Sequence, residues 1–153
     1  MIEKTLIIIK PDGVMRGLVG EIISRLERKG LKIVASRFEV IKKEKAANHY
    51  AEHEGKPFYP GLLDFITSAP VMIIVAEGNA AIPSVRNIVG KTYGVEAAPG
   101  SIRGDFGSSK AFNLIHASDS PESATREIEN FFTKDEIVDY KLPGENWVVA
   151  EDD

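Results

Sequence analysis

The feature that most constrains this chain is a short apolar run, Asn113-Leu114-Ile115-His116-Ala117, that leads straight into a helix start specified residue by residue. Ser120 is a strong N-cap, Pro121 suits the first helical position, and Glu122 complements the positive end of the helix dipole. Ala124, Ile128, Phe131 and Phe132 then recur at helical spacing. The pattern predicts a strand that ends at His116 and a helix packed against it. At about 100° per residue from Ala124, Ile128 falls at about 40°, Phe131 at about −20° and Glu127 at about −60°, whereas Glu122 and Glu129 fall at about 160° and 140°. Glu127 is therefore the one carboxylate of this helix that leans toward the buried stripe. An inward carboxylate needs a partner, and His116 lies one loop away. A hydrogen bond from Glu127 would fix the ring's tautomer and orientation while raising its pKa. The alternative reading is a capped amphipathic helix beside an incidental histidine.

The rest of the chain supplies the frame. Thr5 to Ile9 reads as a buried strand closed by the turn signal Lys10-Pro11-Asp12-Gly13, which puts Lys10 at the strand's end. Val19, Ile22, Ile23 and Leu26 predict an amphipathic helix stopped by Gly30, and Leu31 to Val40 a second strand. Residues 44–52 read as a weakly amphipathic helix, and Gly55 to Gly61 as a loop or broken helical corner. Val71 to Ala76 is a third strand and residues 80–89 a helix. Residues 90–109 are too rich in glycine for a regular element and predict a long loop bearing Thr92 and Arg103. Tyr140 and Trp147 give the tail enough aromatic surface to pack back on the body or on a neighbouring subunit. Strands interleaved with helices predict a one-sheet α/β sandwich. No repeat or linker divides the chain, so residues 1–153 are expected to form one domain.

Composition narrows the function classes. A net charge of −4 argues against bulk attraction to nucleic acid or anionic lipid, so an anionic ligand must be held by local cations. The absence of cysteine excludes disulfides, zinc-thiolate sites and thiol nucleophiles, and fits a reducing, cytoplasmic setting. No apolar run approaches the ~20 residues that span a bilayer, so neither a membrane segment nor a targeting segment is expected.

Five segments in order, Lys10-Pro11-Asp12-Gly13, His49-Tyr50, Lys56-Pro57-Phe58, Pro99 to Phe106 and His116 to Ser120, closely resemble nucleoside diphosphate kinase over nearly the whole chain. The resemblance implies a ferredoxin-like α/β sandwich with a four-stranded antiparallel sheet covered by helices. It also implies transfer of the γ-phosphate from ATP and other nucleoside triphosphates to nucleoside diphosphates, through a phosphohistidine. Carried over by position, the nucleophile is His116, with Ser118 and Glu127 orienting it. Lys10, Tyr50, Arg86, Thr92, Arg103 and Asn113 fall on the phosphates and sugar and Phe58 under the base. Mg²⁺ enters by bridging phosphates, and the assembly is a homo-oligomer. Three positions depart from the family's common pattern: Ala117 replaces glycine, Tyr93-Gly94 replaces Asn-Pro, and Lys110 stands where an apolar residue often lines the base site.

Other readings compete. His49-Tyr50-Ala51-Glu52-His53 fits the H-x-x-E-H pattern of a zinc hydrolase, with two histidines one helical turn apart and Glu52 as base. Gly90-Lys91-Thr92 echoes the end of a phosphate-binding loop, but position 85 is valine where a glycine is needed. Arg103-Gly104-Asp105-Phe106 echoes an RNA-binding motif with Asp105 in place of its aromatic, leaving a non-catalytic nucleotide- or RNA-binding module as the alternative outside enzymes.

Overall fold

The two inner strands are apolar on both faces, and this decides the layering. In the computed structural model, which describes residues 1–151 and 153, β1 (Ile2–Ile9) sends Ile7 and Ile9 into one layer and Leu6 and Ile8 into the other, all four fully buried. β3 (Val71–Asn79) repeats this with Ile74 and Ala76 against Ile73 and Val75. With β2 (Lys32–Glu39) and β4 (Ile115–Ala117) outside them, the sheet runs β2-β3-β1-β4, and every pairing is antiparallel. Each crossover skips one strand, β1 to β2 across β3 and β3 to β4 across β1, which is the split β-α-β arrangement of the ferredoxin-like fold.

The helices are α1 (Pro11–Met15), α2 (Val19–Arg28), α3 (Lys43–His49), α4 (Tyr59–Ile66), α5 (Ala81–Val89), α6 (Ile102–Phe106) and α7 (Pro121–Phe131). Ile22 and Leu26 of α2, Val85 and Val89 of α5 and Ile102 of α6 cover one face of the sheet. Ala46 of α3, Ile66 of α4 and Phe131 of α7 cover the other.

Several local expectations are corrected. The turn at Lys10-Gly13 opens the one-turn helix α1, because Pro11 is preorganised for a first helical position. The corner at 55–61 becomes α4 from Tyr59 onward, since a helix's first turn has no use for the N–H that Pro60 lacks. The helix expected over 44–52 stops at His49 and tightens into a 3-10 turn over Ala51–His53. The expected loop at 90–109 holds α6, capped by Ser101, whose hydroxyl accepts the Gly104 N–H at 3.0 Å. β4 runs one residue past His116. The tail docks through the Val138 N–H on Val34 O (2.8 Å) and the Tyr140 hydroxyl on Ile33 O (2.6 Å), whereas Trp147 stays 93% exposed and does not pack back.

The approach to β4 is unusual. Leu114 is fully buried yet has φ +74°, a left-handed conformation that L-residues rarely adopt. Its N–H donates to the Asp12 carboxylate at 3.0 Å, and its carbonyl accepts the Lys10 N–H at 2.8 Å. Gly13 makes room for this, because a Cβ there would stand 2.9 Å from Leu114 O and 2.8 Å from Ile9 Cγ2. Gly13→Ala is expected to destabilise the fold by about 1–3 kcal/mol through overpacking against backbone. The urea midpoint checks this, and an unchanged midpoint contradicts it.

Candidate active site

His116 pairs with Ile8 across β1 and β4, so its ring lies on the face that α3 and α7 cover. Its side chain is 24% exposed, enough for a ligand to reach, whereas Glu127 on α7 is buried. The helix phase read from the sequence holds: Glu127 turns inward while Glu122 and Glu129 face solvent. The Nε2 of His116 bonds the Oε1 of Glu127. Ser118 Oγ accepts the Leu6 N–H at 3.3 Å and lies 3.3 Å from the same Glu127 oxygen, to which it donates. Nδ1 of His116 has no hydrogen-bond partner among the described residues.

Cations gather around this ring. Lys10 extends β1 and donates through Nζ to Asn113 Oδ1 at 2.7 Å, and the Asn113 amide donates to Thr92 O at 3.2 Å. Arg103 of α6 is buried and donates through Nε to Asn113 O (3.1 Å), through Nη2 to Ile115 O (2.6 Å) and through Nη1 to Gly90 O (3.2 Å). A guanidinium has five N–H groups, so two remain for a ligand. Arg86 of α5 is exposed and reaches Ala117 O at 3.3 Å.

These charges set the protonation states. Burial first, then Lys10, Arg103 and Arg86, hold the His116 pKa well below its ordinary value, with Asp119 opposing. The expectation that Glu127 would leave this histidine with a raised pKa is thereby corrected: desolvation and three cations outweigh the opposing charge of Asp119. Burial pushes Glu127 up, opposed by His49, Arg126 and the Ser118 hydroxyl. Lys10 is lowered to about 8 by burial and then Arg103, and Arg103 to about 10 by burial and then Arg86. These directions, together with the Nε2–Glu127 contact, favour a neutral imidazole with Nε2–H on Glu127 and a bare lone pair on Nδ1.

The structure thus brings together His116, Glu127, Ser118, Lys10, Asn113, Thr92, Arg103 and Arg86. Tyr50 follows α3 and is buried, its pKa pushed up to about 12 by burial. Phe58 precedes α4 as an exposed ring, 5.4 Å from the His53 ring and 5.7 Å from the Lys56 ammonium. Lys110 stands over the Tyr93 ring at 5.1 Å.

Two site residues were not visible as such in the sequence. Asp12 holds the Leu114 N–H, and His49 presents its ring to His116 with centroids 4.5 Å apart. The H-x-x-E-H pattern flagged His49 but gave it the wrong partners. α3 ends there, Glu52 is exposed, and among the described residues the ligating side chains that converge are His49, His116 and Glu127. His49, Glu52 and His53 therefore form no zinc-hydrolase site. Gly90-Lys91-Thr92 follows a helix and opens none, so it forms no phosphate-binding loop.

A neutral, partly exposed imidazole with one bare nitrogen, ringed by cations on an α/β sandwich, is the equipment of a phosphoryl-transferring enzyme. The model of the family described as nucleoside diphosphate kinase matches residues 3–137. A nucleoside diphosphate kinase of Archaeoglobus fulgidus is 58% identical over 149 residues, covering 97% of this chain and 99% of the relative. One from Staphylococcus epidermidis is 56% identical, covering 95% and 98%. Among solved structures, the Halobacterium salinarum nucleoside diphosphate kinase in complex with CDP has a TM-score of 0.94 at 50% identity, covering 97% and 99%. The Borrelia burgdorferi transition-state mimic with vanadate and ADP has a TM-score of 0.89 at 38% identity, covering 97% and 98%. The chain belongs to the nucleoside diphosphate kinase family and is a phosphotransferase.

Burial of neutral histidines links stability to pH. The pKa of His49 is also depressed, to about 3, by burial first and then by His116. Below about pH 6.5 the unfolded chain protonates these two histidines and the folded one does not, so stability falls as pH falls, by up to about 1.4 kcal/mol per pH unit for each. Urea melts at pH 7 and pH 5 are expected to show this loss, with a shallower slope for His49→Phe. Equal stability at the two pH values contradicts the assignment.

Proposed function

We propose that the chain, acting over residues 1–153 as one domain, moves the γ-phosphate of a nucleoside triphosphate to a nucleoside diphosphate in two half-reactions, with His116 carrying it between them. In the first, the Nδ1 lone pair of His116 forms the N–P bond as the bond from phosphorus to the β–γ bridging oxygen breaks, and the diphosphate leaves. In the second, a terminal oxygen of the acceptor diphosphate attacks phosphorus and the N–P bond breaks, restoring the neutral ring. The observation that carries this is the engagement of Nε2 by Glu127, which leaves Nδ1 bare beside the cations. The complexes of relatives with CDP and with ADP and vanadate support it.

Each residue has a physical task in this scheme. Glu127 holds the ring and stabilises the positive charge that develops on it as Nδ1 bonds phosphorus, and Ser118 orients Glu127. Lys10, Arg86 and the two spare N–H groups of Arg103 bind the phosphate oxygens where negative charge accumulates. Asn113 aligns Lys10 and Thr92, and Tyr50 and Thr92 bind the phosphates and sugar. Phe58 offers an exposed face for a base, which stacking accepts without reading its edges.

The cationic side chains here would not ligate magnesium, which would enter only with the nucleotide and would supply further charge neutralisation. No helix of the described residues is long and apolar enough to cross a membrane. A cytoplasmic homo-oligomer acting on nucleotides, and not on nucleic acid, completes the proposal. Exposed Phe38 on the outer strand β2 and Val40 just beyond it support the subunit contact.

Incubation with γ-labelled triphosphate is expected to leave acid-labile, alkali-stable label on the protein, and His116→Ala to lose both label and turnover. Label or turnover surviving in that variant would assign the chemistry to another group.

A further inference from the structure

The His116 ring is restrained from two sides, and the roles above use only one. Glu127 takes Nε2 from α7. From the other side comes His49, the last residue of α3, whose ring meets that of His116 edge to face, with 4.5 Å between centroids and 85° between planes. His49 is 4% exposed and is itself wedged by Tyr50, at 4.7 Å, and Phe131, at 5.7 Å. Its Nδ1 is buried with no hydrogen-bond partner. An apolar ring would fill this space without leaving a polar atom unsatisfied, so what His49 offers His116 is a flat ring and not a hydrogen bond through Nδ1.

The two restraints also share a mounting. Lys45 Nζ of α3 donates to Asn130 O of α7 at 2.6 Å, and the Asn130 amide returns a bond to Lys45 O at 3.0 Å. Arg126, next to Glu127, reaches the carbonyl of Asn48, next to His49, at 3.5 Å. Wall and carboxylate are thus fixed to one another before they touch the ring. A half-turn of that ring about Cβ–Cγ would exchange Nδ1 with a carbon and break the Glu127 bond, and smaller swings would press it against the His49 ring.

We propose that His49 is a positioning residue for phosphoryl transfer: with Glu127 it fixes the side-chain torsion of His116, so that Nδ1 alone is presented to phosphorus. The inference rests on the reading of His116 as the phosphoryl acceptor. In-line displacement tolerates little misalignment, so loss of the wall lowers the rate of the chemical step without weakening nucleotide binding.

The test is rapid-quench phosphorylation at saturating nucleoside triphosphate, with ³¹P NMR of the phosphoenzyme, on wild type, His49→Ala and His49→Phe. A wild type that forms no phosphohistidine refutes the acceptor assignment itself, separately from the role of His49. His49→Ala is expected to be phosphorylated at least about tenfold more slowly at unchanged nucleotide affinity, and to show a second resonance from Nε2-phosphohistidine. His49→Phe, which restores a flat ring without nitrogens, is expected to recover the rate to within about threefold and the single Nδ1 resonance. Should the alanine variant fail to fold, His49→Leu, which fills the volume without a flat ring, carries the same expectation. A wild-type rate in the alanine or leucine variant overturns the proposal. A phenylalanine variant as slow as these does so too, because the ring would then not be what matters.

Discussion

The structure around His116 depends on the left-handed turn at Leu114. A non-glycine residue in that conformation is strained by roughly 1–2 kcal/mol, and it persists because its surroundings leave it no alternative. Asp12 takes its N–H, Lys10 caps its carbonyl, and Arg103 grips the carbonyls of both neighbours, Asn113 and Ile115. The same three residues line the site. The turn that aims β4 is therefore built from the groups that place charge beside His116, and the strand cannot shift without moving the cations.

That coupling explains how opposing electrostatic demands are met. A nucleophilic imidazole must be neutral, and a phosphate-binding site must be cationic. Positive neighbours serve both, because they attract phosphate and make protonation of the ring unfavourable. Glu127 opposes them through Nε2, where in the proposed reaction positive charge would develop only as Nδ1 bonds to phosphorus. It would then contribute more to the transition state than to the resting ring, which is the condition for a catalytic effect. Arg103 also shows that a cation in such a site need not be given wholly to the ligand. Three of its donors hold backbone and two are free, so its charge is placed by the fold.

How much of this was legible in the sequence depended on the range of the interaction. The α7 start, the inward phase of Glu127 and the strand position of His116 follow from local periodicity and capping, and each was readable from a dozen residues. The continuously apolar, buried character of β1 was equally plain, whereas the four-stranded antiparallel sheet followed only from the motif resemblance. α4 and α6 were obscured because Pro60, Gly61 and Gly104 read as breakers, whereas here Pro60 sits in a first turn and Gly104 lets the chain pass Ala98 O, from which a Cβ would stand 2.0 Å. His49 was misassigned because its partner lies 67 positions away, and no helical spacing reveals a contact between α3 and a strand so distant in the chain. The sign of the His116 shift was missed for the same reason: Lys10, Arg86 and Arg103 converge only in three dimensions.

The central claim is that His116 rests as a neutral imidazole carrying its proton on Nε2, with Nδ1 bare. Long-range ¹H–¹⁵N correlation NMR of the ring nitrogens in the nucleotide-free protein tests it directly over pH 8 to 5. The predicted result is a pyridine-like Nδ1 and a pyrrole-like Nε2 that persist below pH 6, where an ordinary histidine is mostly protonated. A midpoint near 6.5, or a proton found on Nδ1, would contradict it.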